Sequence, residues 1–542
     1  MQSQTDIAPQ TANGANTPSK TLWKENAAVY ALLALFAALL GAVTLKHDVY
    51  VDEAQAWLIA RQSSSLLALF QHLRYEGHPA LWFLLIYLPA HLSANLAWML
   101  GINYVLTVAM AWLILSDRRL PLMTRTLIAF SVSIFFYMGV IARCYMLAGV
   151  LLVAAARCMS GRRRHWLAMA LLGLAINTHF FAIPVAAGIF VWLYWLAPDP
   201  SWSAAANKLK QRQFQLSAAF LAVALALCYF TLRPAPDMYT PGYVLPGATP
   251  LSYLLLGLGT VSYRFVPFPL DDFAASVQSL LPVWTPPYLV AASFTTGLWL
   301  LAVAALPSRL SRWFTISVSL LWFAAAWATV HAPLPHHATL IFATYAIALT
   351  MNPSHSGDRP WIPTHYAQLF LLILFSLQTS LSLRCALEQW SRPFSGAKPT
   401  ADFLLRAGLT RRPFVIEPDY AGPALLAYTG IDSAYYPTCH CRGSFVVWRK
   451  GRDEFRQVTL QELQAVRRDL GAPPIVVSNW KLNDDSLHQL GLRLLYTSPE
   501  GWYWKYGNLF VYDSNGSADG GNTPSKSNGT PKTEPPATRP SG

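Results

Sequence analysis

Carboxylate and imidazole side chains are concentrated in two short segments that follow the first strongly apolar stretch of the chain. The first segment carries Asp52 and Glu53, and the second, which follows closely, carries Glu76 and His78. A carboxylate in such a position can act as a general base that takes a proton from a hydroxyl group. Asp52 and Glu53 are therefore the candidate catalytic residues. Acidic residues are also common at the start of a helix, and the two uses are compatible.

A second set of residues could bind an anionic group beside these carboxylates. Arg143 and Tyr145 interrupt a long apolar stretch, and His179, His336 and His337 lie in short polar links between apolar stretches. Guanidinium and imidazolium groups hold phosphate through charge-assisted hydrogen bonds, and ionisable residues at a membrane often mark a functional site. A base beside a bound phosphate is what glycosyl transfer from a lipid phosphate requires. Arg143 could instead extend its charge to the membrane surface, and the histidines could be ordinary loop residues.

The composition indicates a polytopic membrane protein. Of the 542 residues, 54% are hydrophobic and only 12% are charged, whereas about a quarter of the residues of a soluble domain are charged. The net charge of +13 is spread over short basic clusters between apolar stretches, for example at 161–164 and 208–212. This distribution is typical of the excess of Lys and Arg on the cytoplasmic side of a membrane, and it does not indicate a nucleic-acid partner.

The first part of the chain predicts a cytoplasmic tail, a crossing and a large external loop. Residues 1–22 are polar and are predicted to be disordered. Residues 27–45 are apolar over about 20 positions, which is enough for a first transmembrane helix that runs outward. In the external loop at 46–96, apolar and polar residues alternate with helical period over 54–74. This stretch is too polar to span the membrane, so a helix at the membrane interface is expected.

The end of this loop contains two apolar stretches, at 79–92 and 97–116, before the basic pair Arg118 and Arg119. If the basic pair is cytoplasmic, an odd number of crossings must connect it to the external loop. The shorter stretch, 79–92, is therefore predicted to be interfacial or re-entrant. This parity places Asp52, Glu76, His78 and Arg143 on the same outer face.

The remaining apolar stretches give a total of about eleven transmembrane helices over a membrane domain at 23–384. The predicted crossings are two in 126–159 that meet near Arg143, two in 166–196 that meet at 177–179, and single ones at 214–232, 288–306, 313–330, 338–351 and 366–383. A second large external loop is expected at 233–287, where Pro, Tyr and Asp are frequent.

The composition after residue 384 changes to that of a soluble domain, which the odd number of crossings places outside. Short buried strands are predicted at 414–417 and 474–478, an amphipathic helix at 460–470, and a closing hairpin from 502–505 and 509–512. Residues 385–514 are thus expected to form a small extracytoplasmic α/β domain. The tail at 515–542 is rich in Gly, Ser, Asn, Pro and Thr and is predicted to be disordered.

Cysteine usage offers one open question. Cys439 and Cys441 lie in the polar region after residue 384, where a disulfide to Cys385 or a metal contact is chemically possible. A structural disulfide or free thiols are favoured, because an isolated pair of this spacing lacks the second ligand pair of a zinc site. We therefore assign no metal ligands from the sequence.

Two short sequences resemble those of the GT-C fold membrane glycosyltransferases, in particular the bacterial relatives of protein O-mannosyltransferases and of the lipid A aminoarabinose transferase. They are Val-Asp-Glu-Ala at 51–54 and Glu-Gly-His-Pro-Ala-Leu at 76–81, where Ala80 replaces the usual second proline. Arg143 and Tyr145 are similar to an Arg-x-Tyr sequence of many such chains, and His336–His337 resembles a basic element before a late helix.

This resemblance implies a donor, a mechanism and a location. The donor would be a polyprenyl-phosphate-linked sugar used on the outer side of the bacterial cytoplasmic membrane, with a lipid, glycan or protein as acceptor. Asp52 would be the base of an inverting displacement, with Glu53 beside it. The donor phosphate would lie near Glu76, His78, Arg143, Tyr145 and His336–His337. Some members use a divalent metal ion and others do not, so the resemblance leaves metal dependence open.

A transporter or flippase of a lipid-linked or amphiphilic solute is the main alternative, because many helices with a few embedded charges also suit a permease. Two features favour the enzyme. The hydropathy shows no repeated halves, and the ionisable residues gather at the outer face, whereas transport sites usually lie near the midplane. A membrane scaffold that binds a partner through 385–514 is a third possibility, but it would leave the acidic loop without a role.

Overall fold

The computed structural model of the chain describes residues 20–160, 164–196, 201–239, 287–330, 339–351, 361–453, 456–503 and 508–514. The predicted tail at 515–542, nearly all of the tail at 1–22 and most of the external loop at 233–287 lie outside the described residues. His336 and His337 also lie outside them. The described part is mainly helical up to Ser391 and contains one mixed β-sheet after it.

The helical part consists of apolar helices joined by short links. Its α-helices are α1 (Lys20–Leu45), α2 (Val51–Gln62), α3 (Leu66–Leu73), α4 (Leu81–Leu92), α5 (Ala97–Leu115), α6 (Leu122–Ala129), α7 (Cys144–Ser160), α8 (His165–Ile176), α9 (Ala182–Gly188), α10 (Trp202–Leu209), α11 (Arg212–Leu232), α12 (Pro287–Ala304), α13 (Arg309–Val330), α14 (Thr339–Leu349) and α15 (Thr364–Ser391). Two π-helical segments, Val132–Met138 and Ile189–Leu196, precede α7 and follow α9.

Among the described residues, four helices combine the length and the apolar composition needed to cross a membrane. They are Trp23–Leu45, Ala97–Leu115, Arg212–Leu232 and Thr364–Ser391, and several shorter apolar helices accompany them. Less than half of each such helix is buried inside the protein, so large apolar side chains face outward, as they do in contact with lipid. The helices coincide in position with the predicted crossings.

The first loop differs from the prediction of a single interfacial helix at 54–74. It forms two helices, α2 and α3, and the Ser65 side chain caps α3 by accepting a hydrogen bond from the Ala68 N–H at 3.1 Å. Helix α2 is not interfacial, because residues 53–60 are all buried where α2 packs against α4 and the helix Gly422–Thr429. Helix α3 exposes Leu66 and Leu67, and α4 exposes Leu88 and Leu92, so these two helices suit the membrane interface.

The two predicted reversals, near Arg143 and at 177–179, are both present. The chain leaves the π-helical segment at Met138, passes Arg143 without helical structure and enters α7 at Cys144. The end of a helix leaves carbonyl groups without partners, and the buried Asn103 amide donates to the Met138 and Gly139 carbonyls at 3.1 and 2.7 Å. This amide therefore fixes the backbone from which Arg143 emerges.

After α15 the chain forms a mixed six-stranded sheet in the order β3-β2-β1-β4-β6-β5. The strands are β1 (Phe414–Glu417), β2 (Ala434–Tyr436), β3 (Cys441–Gly443), β4 (Ile475–Ser478), β5 (Arg493–Thr497) and β6 (Phe510–Asp513). The accompanying helices are α16 (Ala397–Arg406), α17 (Gly422–Thr429), α18 (Leu460–Leu470) and α19 (Asp484–Leu490), with 3-10 turns at Leu409–Arg411, Asp419–Ala421 and Pro437–Cys439.

The centre of the sheet is parallel, and two of its strands, β1 and β4, match the predicted buried strands. Strand β1 lies between β2 and β4 and is parallel to both, and every residue of β1 and β4 is buried. Such fully buried strands are nearly continuous apolar runs, which is why they are recognisable in the sequence. The predicted helix at 460–470 coincides with α18, which begins with a capping box between Thr459 and Glu462.

The predicted closing hairpin is wrong in one strand. Strand β6 pairs with β5 at 493–497 and not with Trp502 or Tyr503, and the rest of the predicted strand, 504–505, lies outside the described residues. Tyr503 instead stacks on Phe394 in the link between α15 and α16, with ring centroids 4.4 Å apart, and the Trp502 ring lies 5.5 Å from Phe136 in the π-helical segment before α7. Both side chains are half-buried in these aromatic contacts, which alternation along the chain does not reveal.

The suggested disulfide to Cys385 is also wrong. Cys439 and Cys441 are bonded to each other, whereas Cys385 is a buried cysteine that takes no part in this disulfide. Helix α15 continues without interruption to Ser391, past the predicted boundary at residue 385, and it encloses Cys385. The local turn around His440, whose φ is 50°, brings the other two cysteines together.

Candidate active site

Helix α2 carries the two candidate carboxylates in its first turn, and it places them in different surroundings. Tyr50 precedes the helix in an extended conformation, and the Glu53 carboxylate accepts a hydrogen bond from the Tyr50 N–H at 3.1 Å. The helix-capping use of the acidic pair therefore belongs to Glu53. Asp52 points elsewhere, because neighbouring side chains on a helix are separated by about 100° around its axis.

Glu53 is fully enclosed and uses both carboxylate oxygens. Besides the Tyr50 N–H, it accepts the Ala142 N–H at 2.6 Å and the Nε2 of His47 at 2.9 Å. Burial lowers the pKa of His47, but the adjacent Glu53 carboxylate outweighs this effect and the net pKa is raised. The Glu53 carboxylate therefore joins the start of α2 both to His47 and to the backbone just before Arg143.

Asp52 is partly exposed and pairs with Arg143. The Arg143 Nη1 donates to Asp52 Oδ2 at 2.7 Å, and the Tyr50 hydroxyl donates to the same oxygen at 3.0 Å. The side chain of Asp52 is 38% exposed and that of Arg143 is 14% exposed. The Arg143 guanidinium also lies over the Tyr145 ring, 5.3 Å from its centroid, and such a cation–π contact restrains its direction.

Glu76 and His78 flank a turn at Gly77, whose φ of 71° is a conformation that favours glycine. The turn brings the Glu76 carboxylate to the Gln55 side-chain amide, which donates to it. The same amide is fixed by Val446, because its Nε2 donates to the Val446 carbonyl at 2.8 Å and its Oε1 accepts the Val446 N–H at 2.9 Å. A loop of the sheet part of the chain therefore orients the donor that meets Glu76.

Burial controls the charge of both residues. It raises the pKa of Glu76 to about 7, although the Gln55 hydrogen bond acts in the opposite direction. Burial and, to a smaller extent, Arg143 lower the pKa of His78 to about 4. His78 is thus neutral near pH 7 and cannot supply the positive charge that was expected to hold a phosphate.

His179 and Cys144 complete the cluster. His179 is buried in the turn after α8, its ring centroid lies 4.5 Å from that of Tyr145 and 5.4 Å from that of His78, and its Nδ1 accepts the Phe181 N–H at 3.0 Å. Cys144 is the first residue of α7 and is a buried free thiol. One ligand atom from each of His78, Cys144 and His179 lies within 4.8 Å of the other two.

The structure brings together most of the residues selected from the sequence, namely Asp52, Glu76, His78, Arg143, Tyr145 and His179. His336 and His337 lie outside the described residues. Sequence reasoning missed Tyr50, Gln55, His47 and Cys144. Gln55 could have been found, because it follows Asp52 by three positions and therefore lies on the same face of α2. His47 and Cys144 carry no comparable signal, since their importance depends on contacts with distant parts of the chain.

Comparisons with known proteins found a similarity among solved structures. No family model matches the chain, and no curated protein matches it. Among solved structures, the chain is similar to the crystal structure of ArnT from Cupriavidus metallidurans bound to undecaprenyl phosphate. The two share 11% sequence identity with a TM-score of 0.46, over 91% of this chain and 98% of the other.

Proposed function

We propose that the protein is a GT-C type membrane glycosyltransferase that moves a sugar from a polyprenyl-phosphate donor to a hydroxyl group of a lipid, glycan or protein acceptor. The reaction would take place at the outer face of the bacterial cytoplasmic membrane. The observation that carries this proposal is the Asp52–Arg143 pair, a partly exposed carboxylate and guanidinium 2.7 Å apart beside apolar helices. A base and a phosphate-binding cation at one place are the two groups that this transfer needs.

Asp52 is assigned as the general base. Both of its hydrogen bonds are made by Oδ2, and within the described residues Oδ1 accepts none. That oxygen is available for the proton of the acceptor hydroxyl as the acceptor oxygen forms its bond to the anomeric carbon. The bond from that carbon to the phosphate oxygen breaks at the same time and its electron pair leaves with the phosphate, so the anomeric configuration inverts.

Arg143 is assigned to the donor phosphate. A guanidinium has five N–H donors in a planar fork, and Asp52 takes one of them. The others can bind phosphate oxygens, and the Tyr145 ring below the guanidinium keeps the fork in place. When the phosphate shares the charge of Arg143, that charge is less available to Asp52, and the carboxylate becomes a better base.

The remaining acidic residues take roles that differ from those expected from the sequence. Glu53 is assigned as a positioning residue, because its enclosed carboxylate holds the start of α2 to Ala142 and His47. Glu76 has a pKa of about 7, so its protonated form can donate a hydrogen bond to the phosphate. His78 is neutral, and its Nδ1–H donates to the Glu76 carbonyl at 3.1 Å, so we do not assign it to the phosphate.

The proposal is tested with the purified full chain in lipid nanodiscs and a panel of undecaprenyl-phosphate hexoses and pentoses. Release of undecaprenyl phosphate in the presence of an envelope extract is the expected result, and Asp52→Asn should nearly abolish it. Asp485→Asn, at an exposed position of α19, is the matched control and should retain full activity. Full activity of Asp52→Asn would remove Asp52 from the mechanism. Solute flux into proteoliposomes without donor cleavage would support a transporter instead.

A mass-spectrometric comparison of envelope glycans from cells with and without the gene identifies the sugar and the acceptor together. We expect one modification to disappear when the gene is deleted, and to return with the wild-type gene but not with the Asp52→Asn gene. Unchanged glycans in the deletion strain would contradict the proposed activity.

A further inference from the structure

Three potential metal ligands meet beside the proposed active site, and the proposed reaction does not use them. His78 follows the Gly77 turn, Cys144 begins α7, and His179 lies in the turn after α8. Their ligand atoms lie within 4.8 Å of one another. Within the described residues, no other group of three His, Cys, Asp or Glu side chains brings its ligand atoms this close.

His78 already has the tautomer of a metal-binding histidine. Its Nδ1 lies 3.1 Å from the Glu76 backbone carbonyl, and since a carbonyl can only accept, Nδ1 must carry the ring proton. The lone pair of the neutral ring is therefore on Nε2. Metal-binding histidines usually donate their other ring N–H to a carbonyl or carboxylate in this way, which fixes the tautomer and the direction of the ring.

Cys144 and His179 each need one proton to move. The Cys144 thiol binds a metal as the thiolate, so its proton is released to solvent on binding. His179 accepts the Phe181 N–H at Nδ1, so its ring proton is on Nε2. Coordination through Nε2 moves that proton to Nδ1 and gives up one backbone hydrogen bond in exchange for a metal–nitrogen bond.

We propose that His78, Cys144 and His179 bind one divalent transition-metal ion of the zinc type. A thiolate and two imidazoles suit Zn²⁺, whereas Mg²⁺ and Ca²⁺ require oxygen ligands. Three protein ligands leave one position of a tetrahedral ion open, which is the arrangement of sites that bind water or a substrate atom. The Arg143 charge acts on Cys144 and would oppose a cation there, and the acidic side chains of Asp52 and Glu76 act on Cys144 in the opposite direction.

The site is tested by titrating the purified full chain in detergent with Co²⁺, whose complexes report their ligands by absorption. We expect one Co²⁺ per chain, with the near-ultraviolet charge-transfer band of a cobalt–thiolate bond and the visible bands of a tetrahedral ion. Zn²⁺ should displace the Co²⁺ and remove both sets of bands, and Mg²⁺ should not. The measurement needs no sugar donor, so its failure would leave the proposed transferase function untouched.

Cys144→Ser changes one atom and should remove the charge-transfer band. It should also weaken Co²⁺ binding by more than roughly 10- to 100-fold, which is the typical effect of losing a residue that is hydrogen-bonded to a metal ligand. Cys158→Ser, at a partly exposed free thiol of the same helix, is the control and should keep the band. His78→Ala, at a half-buried position, should weaken binding in a chain that still folds. No thiolate band in the wild-type chain, or a band that survives Cys144→Ser, would overturn the site.

Discussion

The two adjacent carboxylates of α2 should respond in opposite ways to the same isosteric change. Asp52→Asn is expected to remove activity and leave stability nearly unchanged, whereas Glu53→Gln is expected to destabilise the protein. The Asp52 side chain is 38% exposed, so its ion pair with Arg143 is screened by solvent and contributes at most about 1 kcal/mol to stability. A general base, in contrast, accelerates a reaction by about 10²- to 10⁴-fold, which corresponds to about 3–5 kcal/mol of barrier.

The expected cost of Glu53→Gln follows from its enclosed hydrogen bonds. The carboxylate accepts from the Ala142 N–H, the Tyr50 N–H and the His47 ring, and a glutamine amide offers only one accepting oxygen. At least one buried donor would then face the amide NH₂ group, and the charge beside His47 would be lost. Removing one partner of a buried ion pair costs about 3–5 kcal/mol.

The assay compares two quantities for the wild type and both variants in the same nanodiscs: the rate of undecaprenyl-phosphate release and the midpoint of thermal unfolding. Asp52→Asn should retain the wild-type midpoint and lose about 99% or more of the rate, while Glu53→Gln should unfold at a clearly lower temperature. If Asp52→Asn keeps more than about a tenth of the rate, or if Glu53→Gln is as stable as the wild type, the division of roles between the two carboxylates is refuted.

Three further predictions follow from the described contacts. Binding of an anionic polyprenyl phosphate should weaken as pH rises through about 7, because the pKa of Glu76 is raised to about 7 and the ionised carboxylate repels the phosphate. Glu76→Gln should remove this pH dependence, and Gln55→Leu should move it to higher pH. An unchanged pH profile in both variants would contradict the role of Glu76. Because the pKa of His47 is raised in the folded protein, its protonation should stabilise the fold fully at a pH below the ordinary histidine pKa of about 6.5. This stabilisation is lost as pH rises through the raised pKa. Thermal unfolding measured against pH should show the loss in the wild type and not in His47→Gln. Arg452 contacts the buried Asp419 carboxylate at 2.6 Å, so Arg452→Met leaves this carboxylate without its partner and should lower the free energy of unfolding by about 3–5 kcal/mol. Unfolding in denaturant measures this cost, and a wild-type midpoint would contradict it.

Local sequence patterns were sufficient for most elements of the chain. Long apolar stretches such as 27–45 and 214–232 coincide with helices α1 and α11, and the apolar runs at 414–417 and 475–478 are the central buried strands. Apolar periodicity and the length of an apolar stretch depend only on residues that are close in the sequence, so they can be recognised without knowledge of the fold. The same patterns misplaced the final hairpin, because Trp502 and Tyr503 pack on Phe136 and Phe394 and not within the sheet.

The sequence by itself indicated the loop in which we propose the active site, because its acidic residues and the reversal at Arg143 are visible as interruptions of apolar stretches. Tertiary structure alone separates Asp52 from Glu53, since the two are adjacent and chemically equivalent in the sequence. Their different environments depend on what packs against each face of α2, which brings Arg143 to one side chain and His47 with Ala142 to the other. The meeting of His78, Cys144 and His179 has the same origin, because contacts between distant segments depend on how the helices pack and not on local pattern.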